Sequence, residues 1–238
     1  MNASLRRRLP VILAVAVLLL AAGMRFHQLG AQSLWNDEGN SVVQAGRDLA
    51  AIAEHAARDI HPPGYYFLLA GWRALTGDSE FALRALSALA SVLSVAFTFS
   101  LGRRLYGAWA GLIAALFVAL NTFSIYYAQE ARMYALLALL GAAGIWALVG
   151  LVKRPHWRWA VVLGLINAAG LYTHYAYPFL ILVQGLLVLL RLLQLLRGQP
   201  LAALNLLGQF VLSAGVTALL FLPLAPTALA QVSSWPST

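Results

Sequence analysis

Seven apolar runs, each long enough to cross a bilayer as a helix, restrict the fold of this chain more than any other feature. They lie near residues 9–24, 85–102, 108–126, 133–152, 157–173, 178–197 and 206–225. A helix needs about 20 mostly apolar residues to span the hydrocarbon core of a membrane. Because the 238 residues are 61% hydrophobic and only 10% charged, they cannot cover a soluble surface. The sequence therefore predicts an all-α integral membrane protein with seven spans.

Two further segments, both in the first long loop, are predicted to lie at the membrane surface. The run from Gly64 to Leu75 has about 12 residues, which is too short for a crossing helix. Before it, apolar residues recur at steps of three and four from Val42 to Ile60, a spacing that predicts an amphipathic helix. We therefore expect interfacial helices near 40–58 and 64–75. For the first of them, a soluble helix packed on another partner is the alternative.

The basic residues predict the orientation of the chain. If the 64–75 segment does not cross, ten of the 16 basic residues fall on one side of the membrane and six on the other. The preference for positive charge inside then places the N-terminus in the cytoplasm and the C-terminus outside, in a cell (inner or plasma) membrane. A cleaved signal peptide over Arg6–Gly23 is the alternative, but six further spans favour an uncleaved anchor.

The distribution of charge and the absence of cysteine exclude nucleic-acid binding and sites that depend on thiols. The net charge of +8 does not indicate a nucleic-acid-binding protein, because the basic residues form small clusters between apolar runs. The chain has no cysteine, so disulfides and thiolate metal sites are excluded.

Candidate catalytic side chains lie at the predicted outer ends of the spans. Asp37 and Glu38 are adjacent carboxylates after the first span, where partial burial would raise a pKa and suit a general base or a metal ligand. Helix capping by Asp37 is the alternative. Arg132 stands beside Glu130 at the start of the fourth span, where a guanidinium can hold a phosphate. Pairing of Arg132 with Glu130 or with a lipid phosphate is the alternative.

Two histidines and a tyrosine on the same predicted side complete the set. His61 and His174, together with Glu38, suggest a mixed site for a divalent metal cation of unknown identity. A structural hydrogen-bonding role is the alternative for each histidine. Tyr65 is expected to belong to an interfacial aromatic belt or to stack on a sugar.

The order of several short sequences resembles a known family. These are the Asp37-Glu38 pair, the His61-Pro62-Pro63 sequence, and the stretches Glu80–Arg84 and Gly102–Gly107. They are similar to the polyprenyl- or dolichyl-phosphate-sugar-dependent membrane glycosyltransferases of the protein O-mannosyltransferase and aminoarabinose-transferase type, over most of residues 5–230. The resemblance implies the C-type glycosyltransferase fold, a seven-transmembrane-helix module with juxtamembrane helices in its first outer loop.

The resemblance also implies roles for the candidate residues. Asp37 would be the catalytic base with Glu38 beside it, and His61, Arg132 and His174 would surround the donor phosphate or a metal. Several relatives carry an Ala-Arg-Pro-Asp-like element where this chain has Ala131-Arg132-Met133-Tyr134, so the second acidic role would either pass to Glu130 or be missing. Residues 1–232 would form the conserved module, and residues 233–238 the start of a truncated or absent C-terminal region, with a C-terminal partner domain as an expected partner.

Together these features predict transfer of a sugar from a polyprenyl-phosphate donor to a hydroxyl of an acceptor glycan, lipid or protein on the extracytoplasmic side. Asp37 would accept the hydroxyl proton while Arg132 or a metal stabilises the departing phosphate. Because the base lies on one face of the sugar and the phosphate on the other, we expect inversion of configuration at the anomeric carbon. A non-catalytic lipid-phosphate-binding module or transporter subunit is the alternative, but charges at the boundary rather than at mid-membrane favour a transferase.

Overall fold

The computed structural model describes residues 3–56, 58 and 61–233, and all regular structure in these residues is helical. The helices are α1 (Ala3–Phe26), α2 (Asn36–Ala45), α3 (Leu49–Ala56), α4 (Gly64–Thr76), α5 (Glu80–Tyr106), α6 (Ala108–Leu120), α7 (Thr122–Ala128), α8 (Tyr134–Lys153), α9 (Trp157–Thr173), α10 (Tyr177–Leu196), α11 (Pro200–Phe221) and α12 (Ala225–Ser233). The chain divides into two compact units. The first is Met1–Leu49 with Tyr65–Ala142, and the second is Ala50–Gly64 with Ala143–Thr238.

Several of these helices can cross a membrane. Within the described residues, α1, α5, α8, α10 and α11 are long and apolar enough, and the bent pair α6 and α7 makes six if it counts as one span. Helix α9 has 17 residues, at the lower limit for a crossing helix. The prediction of an all-helical membrane protein is confirmed, whereas the count of seven spans is not.

The first long loop differs in detail from the prediction. The amphipathic segment near 40–58 forms two helices, because α2 stops at Gly46, whose N–H donates to the Val42 carbonyl at 2.9 Å. Arg73 of α4 donates to the same carbonyl at 2.9 Å, so the end of α2 is satisfied without a further turn. The helix near 64–75 is present as α4 and has 13 residues, too few to cross.

Small residues allow α5 and α6 of the first unit to approach closely. A Cβ atom added to Gly102 would lie 2.7 Å from the Cα atom of Gly111, and one added to Gly111 would meet the Phe99 carbonyl oxygen at 2.5 Å. Such backbone contact is typical of membrane helices, where close packing replaces the hydrophobic effect. The two helices are therefore closely packed at this contact.

A buried arginine holds the break in the third predicted span. The side chain of Asn121 caps α7 by accepting from the Ser124 N–H at 2.8 Å, and α7 is bent from α6 by 60°. Arg25, fully buried at the end of α1, donates to the carbonyls of Val118 and Ala119 at 3.0 and 2.9 Å. These carbonyls belong to the last turn of α6, which has no intrahelical donors. Arg25 thus satisfies the helix end that the bend exposes.

The second unit contains a buried polar network between α9 and α10. Asn167 and Gln184 exchange two hydrogen bonds, at 2.8 and 3.0 Å. The Tyr177 hydroxyl donates to the Asn167 side-chain oxygen at 3.1 Å. Because no water competes inside the hydrocarbon core, these bonds join the two helices.

We predict that Asn167→Ala lowers the free energy of unfolding by about 1–2 kcal/mol, since Gln184 and Tyr177 then lose their common partner. Thermal or SDS-induced unfolding in one detergent measures the change. Gln209→Ala in α11 is the control, because the side-chain oxygen of Gln209 has no hydrogen-bond partner within the described chain. Equal destabilisation of the two variants would contradict the role given to the network.

Candidate functional site

The polar site of the first unit is built on a buried ion pair between α2 and α5. Glu38 is 1% exposed and Arg84 is 5% exposed. The Nε and Nη2 atoms of Arg84 donate to the two carboxylate oxygens of Glu38 at 2.8 and 2.7 Å, a bidentate arrangement. The backbone N–H groups of Trp35 and Ala131 donate to the same oxygens at 3.3 and 2.8 Å. All four acceptor positions of the carboxylate are therefore used.

These bonds keep Glu38 ionised. Burial alone raises the pKa of a carboxyl group, but the hydrogen bonds from Arg84 and the backbone outweigh burial and leave the pKa of Glu38 below its ordinary value. A carboxylate that is ionised and fully bonded has no free position for a substrate proton. Glu38 is therefore an anchor for the start of α2.

Arg84 extends the same anchor to the turn after α1. Its Nη1 atom donates to the carbonyls of Leu29 and Gln32 at 3.0 and 2.8 Å, and its Nη2 atom donates to the carbonyl of Ser33 at 3.1 Å. With the two bonds to Glu38, all five N–H groups of the guanidinium are used. One side chain thus fixes the connection between α1 and α2 against α5.

Asp37 has a different environment from its neighbour. Its side chain is 44% exposed, and its Oδ2 atom lies 3.6 Å from the Nη2 atom of Arg132. The Nη1 atom of Arg132 donates to the Asp37 backbone carbonyl at 3.2 Å and to the Ser41 hydroxyl at 3.3 Å. Arg132 is 3% exposed, and its Nε atom has no hydrogen-bond partner in the described part of the chain. An accessible carboxylate thus lies beside a guanidinium that retains a free donor.

Tyr65 and Glu130 belong to the same unit. Tyr65 is fully buried, and burial raises the pKa of its hydroxyl. Glu130 is 7% exposed, and burial raises its pKa, although the hydrogen bond with the Tyr126 hydroxyl partly opposes this effect. Within the described residues, the Tyr65 hydroxyl and the Glu130 Oε2 atom have no hydrogen-bond partner. The first unit therefore brings together five of the predicted site residues, and three of them, Tyr65, Glu130 and Arg132, have a buried polar atom without a hydrogen-bond partner in the described residues.

The two predicted histidines lie in the second unit. Their ring centroids are 6.0 Å apart in an edge-to-face arrangement, and the His174 Nδ1 atom accepts from the Ala176 N–H at 2.9 Å. No group of three or more histidine and carboxylate side chains among residues 3–56, 58 and 61–233 is arranged to hold a metal ion. Glu38, the third predicted ligand, already accepts four hydrogen bonds. The described residues thus do not fit the predicted divalent cation, which stays a prediction.

The roles of Arg84 and Arg25 were not predicted from the sequence. A signal was present for both, because an arginine at the end of an apolar run must find partners or leave the membrane. Seven of the eight acidic residues lie between positions 37 and 80, but spacing alone did not show which of them forms the ion pair with Arg84. Nothing in the sequence indicated that the Ser41 hydroxyl accepts a hydrogen bond from Arg132.

We predict that Arg84→Met lowers the free energy of unfolding by about 3–5 kcal/mol, because it leaves the Glu38 carboxylate buried without its cation. Adding Glu38→Gln should restore part of the loss. Since the folded pKa of Glu38 is depressed, the pair stabilises the wild type above the unfolded pKa of about 4.3, and this stabilisation is lost as the pH falls through the folded pKa. Unfolding in detergent as a function of pH measures both effects.

Arg103→Met is the matched control for this experiment, because Arg103 is an exposed arginine of the same helix. If Arg84→Met were no more destabilising than Arg103→Met, the ion pair would not be the anchor of the site.

Comparisons with known proteins agree with this architecture. Residues 60–226 match the family model described as Dolichyl-phosphate-mannose-protein mannosyltransferase, so the resemblance identified from the sequence is confirmed. Asp37 and Glu38 precede the matched residues. No curated protein matches the chain.

A solved structure has a similar fold. It is the S. cerevisiae protein O-mannosyltransferase Pmt1-Pmt2 complex bound to the sugar donor, with a TM-score of 0.70 and 17% sequence identity. The match covers 92% of this chain and 34% of that chain. The present chain therefore spans about a third of the length of the protein whose fold it shares.

Proposed function

Because the chain belongs to the dolichyl-phosphate-mannose-protein mannosyltransferase family, we propose that it is a membrane glycosyltransferase that moves a sugar from a polyprenyl-phosphate donor to an acceptor hydroxyl. The observation that carries the proposal is the accessible Asp37 carboxylate beside the buried Arg132, with 3.6 Å between Oδ2 and Nη2. A base and a phosphate-binding cation are the two groups that this reaction needs most.

Asp37 is the proposed general base. It accepts the proton of the acceptor hydroxyl as the hydroxyl oxygen bonds to the anomeric carbon of the donor sugar. The bond between that carbon and the phosphate oxygen breaks, and polyprenyl monophosphate leaves. The 44% exposure of the Asp37 side chain supports this assignment, because an acceptor can reach the carboxylate.

Arg132 is the proposed phosphate contact. A guanidinium stabilises a phosphate by charge and by directional N–H donors, and the Nε donor of Arg132 is free of other partners in the described chain. Because the phosphate leaves as an anion, no acid has to protonate it. A single displacement with the base and the phosphate on opposite faces of the sugar inverts the anomeric carbon.

Glu38 and Arg84 are proposed to position this machinery without taking part in the chemistry. Glu38 accepts from the backbone of Ala131, the residue before Arg132, and directly follows Asp37 in α2. Both reactive side chains are therefore fixed to the same buried ion pair. Fixed geometry of this kind is worth several kcal/mol in a displacement between two bound reactants.

The location of the site is part of the proposal. We propose seven spans, with α9 and the bent pair α6 and α7 each crossing once, an N-terminus in the cytoplasm of a cell (inner or plasma) membrane, and the site on the extracytoplasmic side. The support is the excess of basic residues on the opposite side. The predicted boundary after residue 232 and a C-terminal partner domain stay predictions, and residues 234–238 lie outside the described residues.

We predict that Asp37→Asn lowers the turnover number by about 10²–10⁴-fold, because the amide cannot accept the hydroxyl proton. Binding of the donor should persist. Transfer of label from a radioactive polyprenyl-phosphate hexose to acceptors in membranes that contain the full chain measures turnover. Binding of unlabelled polyprenyl phosphate is measured in parallel.

Two variants make this experiment specific. Arg132→Gln should weaken binding of polyprenyl phosphate, which separates the role of the cation from that of the base. Asp48→Asn replaces an exposed carboxylate of the same loop and should retain activity. Unchanged turnover in Asp37→Asn would remove the catalytic assignment and favour the non-catalytic lipid-phosphate-binding module.

The proposed orientation predicts which loops react from outside the cell. Because the chain has no cysteine, Asp48→Cys and Lys153→Cys each create a single labelling site. A membrane-impermeant maleimide should label the first variant in intact cells and the second only after permeabilisation. The reverse pattern would invert the topology.

A further inference from the structure

The first unit contains a cavity that the proposed mechanism does not use. It has a volume of about 520 Å³ and is formed by the turn after α1, the start of α2, the start of α5 and the end of α7. Cavities of this size hold small organic ligands. Neither Asp37 nor Arg132 is among its lining residues in the described chain. A ligand in this cavity therefore has its own set of contacts.

The cavity is unsuited to an anion. Arg84 lines it, but all five of its N–H groups donate to Glu38 and to three backbone carbonyls. Glu38, which neutralises Arg84, and Glu130 also line the cavity, so the lining has two carboxyl groups beside one arginine that is already paired. The donor sugar is joined to its phosphate through one oxygen, so this sugar cannot enter without bringing the phosphate close. The cavity therefore selects an uncharged ligand.

Glu130, which lines the cavity, has a carboxyl oxygen that can accept a hydrogen bond from such a ligand. Glu130 is 93% buried, since 7% of its surface is exposed, and its Oε2 atom has no partner in the described residues. A buried acceptor without a partner costs free energy that a ligand hydroxyl would recover. The Tyr126 hydroxyl also interacts with the Glu130 carboxyl group, so a ligand hydroxyl would supply the contact that Oε2 lacks.

Two aromatic side chains of the lining add an apolar surface. Trp35 and Tyr126 are 47% and 59% exposed, although both lie at the cavity. Aromatic rings with a polar edge pack on the apolar face of a pyranose while the hydroxyl groups meet polar side chains. Among small uncharged ligands, a sugar combines these two kinds of surface.

We propose that this cavity is a binding subsite for an uncharged pyranose of the acceptor, in which Glu130 accepts a hydroxyl hydrogen bond and Trp35 and Tyr126 contact the ring. The inference rests on the proposed function and deepens it, because it assigns the accepting hydroxyl to a sugar. Glu38 lines the cavity and follows Asp37 in the chain, and the Asp37 carboxylate is close enough to Glu130 to affect its ionisation. A sugar in the cavity is thus held near the proposed base while the phosphate contact remains at Arg132.

The test is binding of methyl pyranosides (gluco, manno and galacto forms) to the full chain in detergent or nanodiscs, followed by saturation-transfer NMR. At least one glycoside should bind in a saturable manner. Glu130→Ala should weaken binding about tenfold, the value of one hydrogen bond to a carboxylate, and Glu130→Gln, which keeps an acceptor oxygen, should weaken it less. Trp35→Ala should also weaken binding, whereas Trp109→Ala should not, because Trp109 is similarly exposed at 53% but lies outside the lining.

Competition decides which ligand the subsite serves. Inorganic phosphate and polyprenyl phosphate should not displace the glycoside, and a polyprenyl-phosphate hexose should not displace it either. Displacement by the hexose donor alone would assign the cavity to the donor sugar and overturn the proposal. No saturable binding of any glycoside, or binding that Glu130→Ala and Trp35→Ala leave unchanged, would also overturn it. Asp37→Asn should bind the glycoside normally, so loss of transfer in that variant and loss of the subsite are separate results.

Discussion

The buried ion pair of Glu38 and Arg84 is the interaction on which the polar site depends. A charge at a membrane boundary is stable only when its partners replace the lost water. Here the partners come from the turn after α1, from α2 and α5, and from the backbone of Ala131. The ion pair therefore fixes two loops that lie 93 residues apart in the sequence, and it does so at the two places that carry Asp37 and Arg132.

The buried arginines of the described chain differ in how completely they are satisfied. Arg25 makes five hydrogen bonds to carbonyls and hydroxyls, and Arg84 uses all five of its donors. Arg132 donates to the Asp37 carbonyl and the Ser41 hydroxyl and also interacts with the Tyr134 hydroxyl, but its Nε atom has no partner in the described residues. A guanidinium with every donor in use has a structural role, whereas a buried one with a free donor can bind an anion. The same comparison identifies Glu130, which lines the cavity and whose Oε2 atom has no hydrogen-bond partner in the described residues.

The sequence was sufficient for features that depend on local pattern. Apolar run length predicted the long helices, and the 13 residues of α4 matched a segment judged too short to cross. The sequence was insufficient for features that depend on contacts between residues far apart in the chain. The end of α2 at Gly46 involves Arg73 of α4, and Arg25 of α1 binds the carbonyl groups that the bend at Asn121 exposes. The ion pair of Glu38 and Arg84 joins residues that lie 46 positions apart. The adjacent carboxylates indicated a site. Only the fold showed that Glu38 is buried in an ion pair with Arg84 whereas Asp37 is accessible.

The shared fold and the family membership support a transferase, while the contrast between the buried, paired Glu38 and the accessible Asp37 supports the proposed mechanism. The most direct test of this account is a structure of the chain with a non-transferable polyprenyl-phosphate sugar. We predict phosphate oxygens within about 3 Å of the Arg132 guanidinium and the Asp37 carboxylate on the opposite face of the sugar, with space for a hydroxyl before the anomeric carbon. A phosphate bound away from Arg132, or Asp37 on the same face as the phosphate, would contradict the proposed transfer.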